Sequence, residues 1–290
     1  MVIDLHTHST ASDGVLTPSD LVALAARAGV GAIALTDHDT VAGVGEARDA
    51  GERAGVRVVA GIELSARHDG RAVHVLGYFV DPARETFLKR LDEMQAERLD
   101  RIHRMVARLN ELGYELAVDD VLAQARGAVV ARPHVARALV ARGHVRTLGE
   151  AFSPELIADG GRADVPRQQL TPREAVALIG SAGGVAVIAH AGLTHHLGTH
   201  NPLPDELVRE LRDNGLAGLE VDHPDHPPLV RDRLRALAES LGLVATGGSD
   251  FHGESGRAIA DCTTSDDALA RLEVLAAAPR GGDSRPGAST

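Results

Sequence analysis

The sequence predicts an α/β protein: a parallel sheet or barrel of βα units with a helical insertion. Three observations lead there. Short apolar runs of strand length alternate with amphipathic runs of helix length in both the first and the last thirds of the chain. Between them, from Asp81 to about Gly161, the rhythm breaks into charged helical sequence with no strand pattern. Nearly every apolar run also leads into a histidine or a carboxylate, and chemistry in parallel barrels collects at the C-terminal strand ends. A chain of 290 residues suits one barrel carrying an insertion.

The elements follow in order. A first strand covers residues 2–8, and its His6 and His8 stand two apart, so both imidazoles reach one centre. Residues 9–14 form a loop by composition. Thr17 caps a helix that has Pro18 in its first turn and ends at Gly29. A buried strand over 32–36 leads into Asp37-His38-Asp39, and a helix covers about 44–54. The strand over 56–60 leads to Gly61-Ile62-Glu63, and the next, over 72–78, holds His74 inside it. The insertion reads as a long helix over 85–112 and shorter ones near 118–126, 133–141 and 147–152. Its basic run from Arg98 to Arg108 reads as a solvated helix face. The βα pattern then resumes. A helix from Thr171-Pro172 precedes a strand over 185–189 that ends at His190. A helix over 204–213 precedes a strand over 216–221, and a helix over 227–241 precedes a strand over 243–246. Gly247-Gly248-Ser249-Asp250-Phe251-His252-Gly253 and a closing helix over 265–277 complete the fold. His195, His196 and His200 fall in a polar, solvated loop, and the tail over 279–290 has the composition of disorder.

Composition narrows the function. Hydrophobic content of 44% builds a core, and aromatic content of 2% leaves it to Ala, Val, Leu and Ile. Lys89 is the sole lysine and sits in charged helical sequence, which argues against Schiff-base chemistry. A net charge of -11 argues against duplex nucleic acid as a partner, while a small anion remains compatible if metals and a few Arg supply local positive charge. Cys262 is the only cysteine, so no intrachain disulfide forms. No leader-like or membrane-spanning run is present, and the expected compartment is the cytoplasm.

The potential ligands at the strand ends are His6, His8, Asp13, His38, Glu63, His74, His190, Asp250 and His252. Each has an ordinary reading alone: a core histidine for His74, a strand-end carboxylate for Glu63, a turn cap for Asp250. Together they exceed what one ion needs. Mixed imidazole and carboxylate suits Zn, Mn or Fe better than Mg or Ca.

The motifs Asp4-Leu5-His6-Thr7-His8, Thr36-Asp37-His38-Asp39, Gly61-Ile62-Glu63, His74-Val75-Leu76-Gly77-Tyr78, Ala189-His190-Ala191-Gly192 and Gly248-Ser249-Asp250-Phe251-His252 resemble those of the PHP-domain phosphoesterases, in the family's order. That resemblance implies a distorted, TIM-barrel-like (βα)7 barrel over 1–80 and 162–278, with a helical insertion over 81–161. It implies two to three divalent ions (Mn, Zn or Fe). His6, His8, Glu63 and Asp250 would bind the first; Glu63, His74 and His190 the second, with Glu63 bridging; Asp13, His38 and His252 the third. Asp4 would orient a histidine, and Asp37 and Asp39 would be structural or supporting.

Ala131-Arg132-Pro133-His134 and Glu220-Val221-Asp222-His223-Pro224-Asp225-His226 resemble the 3′,5′-nucleotide bisphosphate phosphatases, which overlap with 5′-to-3′ oligoribonucleases. Asp222 departs from the Tyr usual in that segment. The implied partner is a small phosphorylated nucleotide or a short single-stranded oligonucleotide. Arg132 and His134 would hold the uncut phosphate. His223 and His226 are candidates to protonate the leaving 3′-oxygen. Histidinol-phosphate phosphatase is the rival activity, against which Arg132 and Arg137 argue. A non-catalytic PHP module serving a polymerase is a further rival, against which the full ligand set argues.

Overall fold

A computed structural model describes residues 1–125, 129–166, 169–193, 203–253 and 257–278. The 195–200 histidines and the 279–290 tail lie outside the described residues. Seven strands form one sheet in sequence order: β1 (Ile3–Thr7), β2 (Ala32–Leu35), β3 (Arg57–His68), β4 (Arg71–Tyr78), β5 (Val185–Ile188), β6 (Leu216–Asp222) and β7 (Val244–Gly247). The sheet curls, and an isolated parallel bridge joins Thr7 of β1 to Phe251 in the segment after β7, where His8 N–H donates to Phe251 O at 2.9 Å.

The helices are α1 (Pro18–Arg27), α2 (Val44–Ala54), α3 (Glu85–Glu111), α4 (Val118–Ala125), α5 (Arg132–Ala141), α6 (Leu148–Ala151), α7 (Pro172–Ser181), α8 (Asp205–Asp213), α9 (Pro228–Leu241) and α10 (Asp266–Ala277). Local chemistry fixes several of their starts. Thr17, Thr147, Thr171 and Ser265 each accept a backbone N–H at a helix N-terminus, and Pro occupies the first turn of α1 and α7.

The sheet departs from uniform βα alternation at one point. β4 pairs antiparallel with both β3 and β5, whereas the other pairs run parallel. The cause is local. Asp69 and Gly70 both take positive φ, 47° and 78°, and form a two-residue turn between His68 and Arg71. Turns of this kind match the twist of a hairpin. β3 therefore runs on to His68, and Glu63 stands within it rather than after it.

Two apolar cores meet along α3. Its first half sends Phe87, Leu91 and Met94 into the core under the sheet. Its second half sends Ile102, Met105 and Leu109 into a separate core with Val121, Val135, Leu139 and Ile157 of the 81–161 segment. Arg98 sits between these halves on the same stripe. It is buried, donates to Asp39 Oδ2 and lies 3.1 Å from Ser65 Oγ. Arg101 donates to Asp164 Oδ1 and Val165 O. The solvated-face reading of this run is therefore corrected at Arg98 and Arg101, because both side chains are needed where the helix crosses from one core to the other. No helix among the described residues is long and apolar enough to cross a membrane.

Asp39 is fully buried, and Arg98 is its cation. Arg98→Ala strands that carboxylate and is expected to lower unfolding free energy by about 3–5 kcal/mol in urea titrations. The pair Arg98→Met with Asp39→Asn should recover most of the loss. An equal loss in the double variant would assign the effect to packing instead.

Candidate metal centre

The curled sheet gathers all nine sequence-predicted ligands at one end. Glu63 is the hub, 1% exposed, with histidines facing both oxygens. Its Oε2 lies 3.2 Å from His6 Nε2, 3.3 Å from His8 Nε2 and 3.2 Å from His38 Nδ1. Its Oε1 lies 2.9 Å from His74 Nδ1 and 3.1 Å from His190 Nε2. Asp250 Oδ1 completes the first group, 3.4 Å from His6 Nε2 and 3.3 Å from His8 Nε2. Asp13 stands between His252 Nε2 at 3.3 Å and His38 Nε2 at 3.7 Å. His38 thus presents one ring nitrogen to Glu63 and the other to Asp13.

Strand geometry and side-chain ties position these groups. His74 and Glu63 stand on neighbouring antiparallel strands, while His38 and Glu63 form a parallel bridge. Asp37 accepts from Ser9 N–H, Ser9 Oγ–H and Ser12 Oγ–H at 2.7–2.8 Å, which pins the loop carrying Asp13. Asp39, His190 and Asp250 all take positive φ, of 52°, 28° and 51°. For non-glycine residues this costs on the order of 1–3 kcal/mol each, and such strain gathers at functional sites.

The donor set fits divalent cations. His6 Nδ1–H donates to Glu220 Oε1 at 3.0 Å, so the lone pair on Nε2 faces two carboxylate oxygens. Both ring nitrogens of His8 and Nδ1 of His38 are buried without a hydrogen-bond partner, although carboxylates stand beside them. Lone pairs facing carboxylates need a cation between them. Without a metal, protons supply that charge. Burial opposes the charged His6, but Glu220, Glu63 and Asp250 outweigh it and hold its pKa well above the ordinary value. Asp250, Glu63 and Asp13 likewise carry His8 up to about 10 against burial. His38 goes the other way, to about 4, because burial, with the electrostatic effect of His8 and His74, overcomes Glu63 and Asp13. Burial would raise Glu63 and Asp250, but the surrounding histidines hold both well below the carboxylate range.

Several supporting roles differ from expectation. Asp4 does not touch a histidine ring. It accepts from His6 N–H, Ser249 N–H, Ser249 Oγ–H and Ala260 N–H, so it fixes the backbone entering Asp250. Glu220 is the carboxylate that orients a histidine, and its Oε2 also accepts His190 N–H at 2.6 Å. A Cβ at Gly248 would collide with His6 Cβ and approach Glu220 Oε1 to 3.0 Å, so glycine there leaves room for this pair. The two candidate proton donors also separate. His226 spends both nitrogens on backbone, Nδ1–H to Val221 O at 2.7 Å and Nε2 accepting Gly192 N–H at 3.0 Å. That ring has nothing to offer a leaving group, so its catalytic assignment is withdrawn. His223 Nδ1 accepts Asp225 N–H, which leaves the proton on Nε2, 3.4 Å from Asp250 Oδ2. Arg257, outside every motif above, donates to the same oxygen at 2.6 Å.

Two cavities of about 360 Å³ share Ser65, His74, Arg98, Ala131 and Pro133 as walls. One adds Asp13, His38, His252, His134 and Arg137. The other adds Arg67, Arg101, Arg132 and Asp159. Arg132 and His134, expected to act on one phosphate, thus line different cavities on either side of Pro133. His134 Nδ1 accepts Ala131 N–H, and Arg132 pairs with Asp159 at 2.5 Å.

Known proteins resemble this chain over most of its length. The family model for the PHP domain matches residues 4–146. An Eggerthella lenta protein named phosphoribosyl 1,2-cyclic phosphate 1,2-diphosphodiesterase is 38% identical over 89% of this chain and 96% of its own. A Chromobacterium violaceum 3′,5′-nucleoside bisphosphate phosphatase is 34% identical over 88% of this chain and 89% of its own. A solved structure described as a metal-dependent phosphoesterase, from Bifidobacterium adolescentis, matches with a TM-score of 0.83 at 36% identity, over 94% of this chain and 96% of that one.

Glu220→Gln keeps the shape of the His6 contact and removes its charge. It is expected to weaken divalent-ion affinity about 10- to 100-fold in chelator competition. Unchanged affinity would reduce Glu220 to a packing role.

Proposed function

We propose that this chain, which belongs to the PHP-domain family of metal-dependent phosphoesterases, hydrolyses the 3′-phosphate of nucleoside 3′,5′-bisphosphates. Conversion of 3′-phosphoadenosine 5′-phosphate to AMP is the type reaction, and trimming of short 5′-phosphorylated oligoribonucleotides follows from the same chemistry. The supporting observation is Glu63, whose two oxygens face separate histidine sets. In this reading the sheet is a distorted (βα)7 barrel, and residues 81–161 roof its cluster. His6, His8, Glu63 and Asp250 hold a first divalent ion. Glu63, His74 and His190 hold a second, and Asp13, His38 and His252 a third.

Divalent ions, when bound, lower the pKa of water towards neutrality and offset charge on the phosphoryl oxygens. The chain's own groups do the positioning on which phosphoryl transfer depends. Arg132 grips the uncut phosphate with parallel hydrogen bonds, which a lysine could not offer. His134, with Nδ1 spent on Ala131, offers Nε2–H on the cluster side of Pro133. His223, with Nδ1 spent on Asp225 N–H, offers its Nε2–H as a hydrogen bond to the leaving oxygen, with Asp250 beside it. Four guanidiniums lining one cavity speak against a cationic histidinol phosphate. A second reading comes from the Eggerthella lenta relative: a ribosyl cyclic phosphodiester, again with a further phosphate on one ribose. A phosphate-release panel containing both substrates separates the two.

Metal removal by chelation should abolish activity, and Mn, Fe or Zn should restore it. Glu63→Ala should empty two ions together, while His38→Ala should mainly empty the third; metal counting reads both. Equal loss at every site from His38→Ala would contradict the assignment.

Arg132→Ala should weaken use of a 3′,5′-bisphosphate by about 2–4 kcal/mol in transition-state terms. A 3′-monophosphate, which lacks the anchored group, should be nearly unaffected. Equal loss on both substrates would move Arg132 to the reacting phosphate or to the fold.

A further inference from the structure

The arginine-lined cavity holds an imbalance of charge. Arg67, Arg98, Arg101 and Arg132 all line it. Arg98 is matched by Asp39 and Arg101 by Asp164. Arg67 and Arg132 share one carboxylate, Asp159: Oδ1 lies 2.5 Å from Arg132 Nη1, and Oδ2 lies 3.5 Å from Arg67 Nη2. The other contacts of Arg67 among the described residues are neutral oxygens, Gly70 O and Gln169 Oε1. Among the described residues, two guanidiniums from different parts of the fold, β3 and α5, therefore face one carboxylate at the cavity wall. His74, a proposed metal ligand, lines the same cavity.

We propose that Asp159 is a specificity-determining residue: its carboxylate is a tethered stand-in for the uncut phosphate of the substrate, and binding displaces it. This rests on the reading of Arg132 as a phosphate anchor. The charge count fits. One carboxylate leaves the arginine pair with an excess positive charge, whereas a phosphate carries about -1.5 to -2 at neutral pH and matches both. The strengths fit as well. Asp159 is 28% exposed, and ion pairs that open to water contribute little. Arginine with phosphate forms parallel, charge-assisted hydrogen bonds that are stronger. A tethered carboxylate also stands at high effective concentration, so singly charged anions compete poorly while a dianion wins. Asp159 thus screens singly charged anions from the arginine pair and keeps it paired until a phosphate dianion arrives.

The test uses the metal-loaded, full-length protein. Asp159→Asn is isosteric and removes only the charge; Asp159→Ala checks it. Both variants should lower KM for a 3′,5′-bisphosphate about fivefold or more, with KM for the 3′-monophosphate unchanged. A rise in bisphosphate KM would show that Asp159 organises the arginines for substrate. An equal fall on both substrates would show a diffuse charge effect. No change would show a bystander. Each of these overturns the proposal. Calorimetric titration with inorganic phosphate separates this inference from the proposed reaction. Asp159→Asn should bind phosphate about fivefold tighter than the parent, and adding Arg132→Ala should erase the gain. If that holds while bisphosphates are not hydrolysed, the stand-in remains and the proposed substrate falls. If no gain is seen, the stand-in falls whatever the substrate.

Discussion

Everything at the centre depends on one buried carboxylate. Glu63 has 1% exposure and five imidazoles against its two oxygens. An isolated carboxylate buried to this degree would cost several kcal/mol and would take up a proton instead. It stays ionised only because positive charge is delivered to both oxygens. Such charge can come from protons on His6 and His8, as the raised pKa values of those rings express, or from divalent ions taking the same places. The two are competing occupants of one electrostatic demand, and a metal, which binds neutral imidazole, displaces the protons.

The reversed strand is how the fold meets that demand on the Oε1 side. Parallel strands offer side chains to the centre from their C-terminal ends, as β1, β2, β5 and β7 do through His8, His38, His190 and Asp250. A side chain that reaches Glu63 inside β3 from the other side needs a neighbour running back alongside it, and the register sets His74 opposite Ser65, two residues from Glu63. β4, folded back through the Asp69-Gly70 turn, provides it with His74. The same reversal carries the end of β3 past the cluster, where Arg67 meets Asp159 and Ala66 bridges to Leu170. One hairpin thus supplies both a histidine for the centre and a wall of the arginine-lined cavity.

Most of this was legible in the sequence, and the misses have physical causes. The clustering of these histidines and carboxylates was readable because most of them stand beside an apolar run whose direction fixes where it points. The hairpin was also written there, in Asp69-Gly70, a dipeptide suited to positive φ at both positions; reading β3 as ending at Ala60 hid it. Arg98 was readable from spacing: Phe87, Leu91, Met94, Arg98, Ile102, Met105 and Leu109 form one stripe at helical intervals, and a charge inside it calls for a buried partner. Composition alone had made it a solvated residue. Glu220 gave a weaker signal, a carboxylate inside an apolar strand. That it orients His6, while Asp222 two positions on turns to Arg235, depends on a register shift in β6 that no local pattern announces. The inward commitment of the His226 ring likewise depends on Val221 O and Gly192 N–H, contacts that exist only once β5 and β6 lie side by side.

Charge distribution joins the two halves of the molecule. A chain with formal charge -11 repels nucleotides at long range, so cations for an anionic substrate must be concentrated and kept from attracting other anions. Arginines can be concentrated only where carboxylates offset their mutual repulsion. Those carboxylates come from both sides of the cavity: Asp39 from the sheet, Asp159 and Asp164 from the segment above it. Arg98 reaches down from α3 to Asp39, and Arg67 reaches up from β3 to Asp159, so the pairs cross the junction in opposite directions. The same ion pairs that seat the helical segment on the sheet therefore set the electrostatics of the cavity between them. A charge change in either place alters both the seating and the anion preference.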